Sequence, residues 1–153
     1  MSQLTLPEGL THLLASGVWP SAAGPSMTAQ QFKPLVAPEL VRRFADDESL
    51  ICLQPPPFPT IGQLIAAGGA GDFWQRFGAL PQIVPDLALV IGDFGLGSDS
   101  PIILDYAHNS TSPPVFRLRW GQNGHNEWVR GARDFDEFAK ILGLHYEVPN
   151  KLL

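Results

Sequence analysis

The chain has one cysteine in 153 residues, so no intrachain disulfide can form. Cys52 lies in the apolar run Leu50 to Leu53, where a buried, unreactive thiol is expected, as in a reducing compartment. Charge is sparse: 16% of residues are Asp, Glu, Lys or Arg, and 10 bases face 15 acids, for a formal net charge of −5. So few bases argue against a nucleic-acid-binding face, which needs a concentrated positive surface. The same balance would speed encounter with a basic protein partner, although mild acidity serves solubility first. Long apolar runs are missing too. The longest clear one, Leu87 to Ile91, falls far short of the ~20 residues that cross a bilayer. Met1 to Leu6 has no basic stretch followed by an apolar block, so a secretory signal is not expected. These absences predict a cytoplasmic protein that neither spans nor binds a membrane.

What is present suits a single domain over residues 1–153. Hydrophobic residues make up 44% of the chain, enough for a core at this length without staples. Thr5 and Glu8 have capping-box spacing ahead of an apolar stripe of Leu6, Leu10, Leu13 and Leu14, which predicts a helix ended by Gly17 and Pro20. A second helix is predicted near Thr28 to Phe32, and a third begins with Pro38 in its first turn. Leu50 to Leu53 suits a short strand. Thr60 and Gln63 open a helix through Leu64 and Ile65, the small residues Ala66 to Gly71 connect, and Asp72 caps a turn carrying Phe73, Trp74 and Phe77.

From Pro85 the pattern changes to strands: Leu87 to Ile91, Ile102 to Tyr106, Val115 to Trp120 and Glu127 to Ala132. Gly92, Gly95 and Gly97 mark a sharp reversal between the first two. Such short connections favour an antiparallel meander over parallel crossovers. Arg117 and Arg119 alternate with Phe116, Leu118 and Trp120, which predicts one apolar and one charged sheet face. Asp134 and Glu137 then cap a helix with the stripe Phe135, Phe138, Ala139 and Leu142, ended by Gly143. The expected architecture is α+β: N-terminal helices, an antiparallel meander of four or more strands, and a C-terminal helix packed on the sheet. Trp120 and Trp128 are expected in the core, paired across the sheet, with Trp19 and Trp74 the better candidates for exposure.

The chemical motifs are weak. Asp93-Phe-Gly95 matches a kinase metal-binding tripeptide without the other kinase motifs. The spacing Gly92-x-x-Gly95-x-Gly97 leads into a strand, not the helix that a dinucleotide site needs. Ser98 is not in a nucleophile elbow, and His12, His108, His125 and His145 lack metal-ligand spacing. Asp93, Asp99 and Asp105 would hold a hard cation only by converging, and for Asp93 and Asp99 bonding to turn amides is the expected role. Asn109-Ser-Thr111 has the form of a glycosylation acceptor, which a cytoplasmic chain does not use. No catalytic residue, cofactor or metal is assigned.

The block from Leu87 to Leu144 resembles the SUKH superfamily, which includes the yeast cell-wall-assembly regulators of the Smi/Knr type. The similarity rests on Val90-Ile-Gly-Asp-Phe-Gly-Leu-Gly-Ser-Asp99, Ile102-Ile-Leu-Asp-Tyr106, Val115 to Trp120, Glu127-Trp-Val129 and Phe135-Asp-Glu-Phe138. The resemblance implies an α+β binding domain without catalytic machinery. Bacterial members are read as immunity proteins that neutralise toxins passed between cells; the yeast relatives are regulatory scaffolds.

Three functions stay open at this point. An immunity-type protein would cover a toxin, a nuclease being the partner that suits an acidic binder. The candidate contact residues are Asp46, Asp47 and Glu48 after the third helix, with Asp93 and Asp99 at the glycine corner. A regulatory scaffold would have no toxin partner. An enzyme would use the aspartates with a divalent metal, although no acid–base or nucleophile set is assembled.

Overall fold

The computed structural model describes residues 4–20, 36–68, 72–94, 100–121 and 125–144. Five helices and five strands occur among them: α1 (Glu8–Ser16), α2 (Pro38–Phe44), β1 (Cys52–Leu53), α3 (Ile61–Ala67), α4 (Phe73–Gly78), β2 (Ala88–Asp93), β3 (Pro101–Asp105), β4 (Val115–Arg119), β5 (Glu127–Ala132) and α5 (Phe135–Ile141). The strands form one antiparallel sheet in sequence order, β1 to β5. The expected α+β meander with a C-terminal helix is what the chain forms. Leu50 to Leu53 supplies the fifth strand as β1. The helix predicted near Thr28 lies outside the described residues.

Local sequence sets most element boundaries. Thr60 and Gln63 complete both halves of a capping box at α3, whose last turn runs into the small-residue stretch as far as Ala67 and stops at Gly68 with φ +75°. Asp134 accepts the Glu137 N–H at α5, but the Glu137 carboxylate takes the Arg133 N–H, so this box is half made. The Thr5–Glu8 box does not form. Proline disfavours helical backbone in the residue before it, so Leu6 stays out of the helix and Pro7 becomes the N-cap of α1. The Thr5 carbonyl instead accepts the Tyr106 hydroxyl at 2.7 Å, tying the N-terminal segment to the end of β3. Burial pushes that phenol up to about 12. Asp72 is the N-cap of α4 without making a side-chain cap bond.

The sheet is covered on both faces, contrary to the single buried face expected from β4. Leu89, Ile91, Ile102, Leu104 and Val115 pack with Leu10, Leu13, Val41, Phe44, Phe135 and Phe138 beneath α1, α2 and α5. On the other side Val90, Ile103, Phe116, Leu118 and Trp128 pack with Ile61, Phe77 and Ile83 beneath α3 and α4. Alternation along β4 is real, but the Arg117 side faces the larger helical layer. A charged residue in an alternating strand does not by itself mark a wet face.

Two strand irregularities adapt the sheet to these layers. The pairing of β2 with β3 shifts between Val90 and Gly92, and that of β4 with β5 between Val115 and Phe116, against Ala132 and Arg130. Each leaves one extra residue, Ile91 or Gly131, in the bulged strand. A β-carbon on Gly131 would strike the Phe44 ring, and one on Gly92 would lie 2.7 Å from the Cys52 carbonyl oxygen. Glycine therefore lets α2 and β1 close onto the sheet.

The tryptophans are distributed differently from the expectation. Trp19 is fully buried between Phe58 and Phe135, and its indole N–H donates to the Gln54 carbonyl at 2.8 Å. Trp128 is buried and donates to the Phe77 carbonyl, as expected of a core residue. Trp120 is 49% exposed, because β4 ends at Arg119 and the next side chain leaves the ladder. It leans on Phe77 and does not pair with Trp128, whose cross-strand partner is Leu118. Trp74 is half-buried against Phe73.

Candidate functional site

Strand register gathers one end of the sheet into a continuous rim. Cys52 pairs with Asp93, Asp93 with Pro101, Ile102 with Arg117, and Arg119 with Glu127. The start of β1, the end of β2, the start of β3 and the end of β4 therefore lie side by side. The turn after α2 brings Asp46, Asp47 and Glu48 toward this end, because the chain must then enter β1.

Arg117 is the centre of the rim. It rises from β4 with its side chain 7% exposed, its guanidinium carbon lies 5.8 Å from the centroid of the Phe94 ring, and Nη1 is 3.0 Å from the Asp47 carboxylate. Nη1 is buried with no acceptor in hydrogen-bond alignment, so Asp47 holds it by charge. Glu48 is half-buried at the same place. Burial pushes its carboxyl above the ordinary 4.5, Asp47 and Asp93 push the same way, and Arg117 opposes them. Asp93 accepts the Ser100 N–H at 3.4 Å and sits close enough to Cys52 to reinforce the effect of burial, which raises that thiol to about 11. Cys52 is thus an unreactive core thiol, as expected.

Of the five candidate contact residues, the structure brings three together around Glu48: Asp47 and Glu48 both interact with Arg117, and Asp93 acts on Glu48. Asp46 is exposed on the neighbouring turn, and Asp99 lies outside the described residues. Three carboxylates near one another with a single guanidinium among them leave the corner negative. Leu50, two residues before β1, is 56% exposed at this end of the sheet, whereas Trp120, 49% exposed just past β4, leans on Phe77 in the opposite layer. Sequence reasoning missed Arg117 as the centre and Leu50 as an exposed group. The one available signal for Arg117 was a cation set between apolar strand neighbours, in a chain whose acids lie elsewhere.

A raised Glu48 pKa has a consequence for stability. The ionised form is disfavoured by the fold, so the charge destabilises above the folded pKa, and the effect disappears as pH falls below the ordinary carboxylate value. Glu48→Gln is expected to raise Tm by about 1 °C at pH 7, the small size reflecting solvent screening of a half-exposed group. The gain should vanish near pH 4. Thermal melts of both proteins across that range check the sign.

The remaining aspartates of the sheet bond locally. Asp93 and Asp105 lie at opposite ends of the β2–β3 ladder, opposite Pro101 and Ala88, roughly 15 Å apart by strand rise. Asp105 is fully buried, accepts the Ala107 N–H at 3.1 Å and pairs with Nδ1 of His108, whose ring rests on Phe116. Both aspartates thus bond turn amides. No three His, Cys, Asp or Glu side chains among the described residues are placed to hold a metal ion. A shallow cleft of about 180 Å³ between Pro7, Gly9, Ser112 and Phe135 is smaller than the ~300 Å³ at which ligand pockets usually begin. Among the described residues, no helix is long and apolar enough to cross a membrane.

Comparison of the chain with protein-family models, with curated proteins and with solved structures finds no match.

Proposed function

We propose that this chain is a non-enzymatic protein-binding domain of the immunity type, which occludes a basic toxin, a nuclease being the partner class that fits best. The observation carrying this reading is the gathering of Asp47 and Glu48 at Arg117, with Asp93 acting on Glu48 and Leu50 exposed at the same end of the sheet. Negative charge on the rim would steer a basic partner and complement a groove built for nucleic acid. An interface of ordinary size, ~800 Å² per partner, would take in the acids together with Leu50. The resemblance of residues 87–144 to the SUKH superfamily agrees with a binding role, and a single cysteine, which forms no intrachain disulfide, fits action in the cytoplasm.

Co-expression with the product of the adjacent gene tests the proposal. A toxic neighbour should become harmless when this chain is produced with it, and the two should co-purify. Continued toxicity despite soluble expression would contradict an immunity role. Stable co-purification with a housekeeping complex, and no toxic neighbour, would favour a regulatory scaffold of the Smi/Knr type.

A further inference from the structure

We draw no further inference here: the strongest candidate, the aromatic surface that Phe73 and Trp74 form on α4 beside Trp120, carries nothing because nothing in the structure shows what covers it.

Discussion

Trp19→Ala is expected to lower stability by about 3–5 kcal/mol, the range for truncating a large buried aromatic side chain. At this chain length that corresponds to a fall in Tm of roughly 10 °C. The loss has three sources. The indole is fully buried, so its removal opens a cavity between Phe58 and Phe135 that rigid neighbours cannot fill. The N–H bond to Gln54 is lost, leaving that carbonyl without this donor. The bond also links the segment after α1 to the segment after β1, so two elements far apart in sequence loosen together. Trp120→Ala is the matched control. It removes a half-exposed ring that leans on Phe77 at the sheet end, so a smaller loss of about 1 kcal/mol is expected. Denaturant melts of the two variants check the contrast, and equal losses would contradict the burial assigned to Trp19.

The second large effect concerns the pair at the centre of the rim. Asp47→Ala removes the carboxylate nearest a guanidinium whose side chain is 7% exposed. An uncompensated buried charge typically costs about 3–5 kcal/mol. Here Glu48 also interacts with Arg117, so about 2–3 kcal/mol is expected. Asp47→Ala combined with Arg117→Met should be more stable than Asp47→Ala alone. The double variant removes the stranded charge and places an unbranched apolar side chain against Phe94. Urea melts of the parent, both single variants and the double variant measure the coupling. Additive losses would show that Asp47 does not compensate Arg117.

The meander, its strand positions and α5 were legible in the sequence because period-two apolar runs, glycine turns and Asp134 each act locally. The helix at Thr60 to Ala67 was legible for the same reason, since Thr60 and Gln63 satisfy each other within one turn. Long-range contacts decided what was not legible. Whether Arg117 meets water or protein depends on α2 and its following turn, which are about seventy residues away in the chain. Trp19 follows a helix-stopping glycine and resembles a loop residue until Gln54 and Phe135 close around it. Trp120 continues the alternation of β4 by spacing, yet the ladder ends one residue earlier. The acids themselves were visible as charge. The convergence of Asp47, Glu48 and Asp93 came only with the pairing of β1 to β2, where Gly92 admits the Cys52 carbonyl.

The most direct test is calorimetric titration of the neighbour-encoded protein into the parent and into the Glu48→Gln/Asp93→Asn variant, at low and moderate salt. These substitutions remove two rim charges while keeping polar side chains of similar shape, so the fold should hold. Parental affinity that weakens with salt, and falls tenfold or more in the variant, is the predicted result. No binding by the parent, or equal affinity for both proteins, would show that the acidic rim is not the surface through which this chain works.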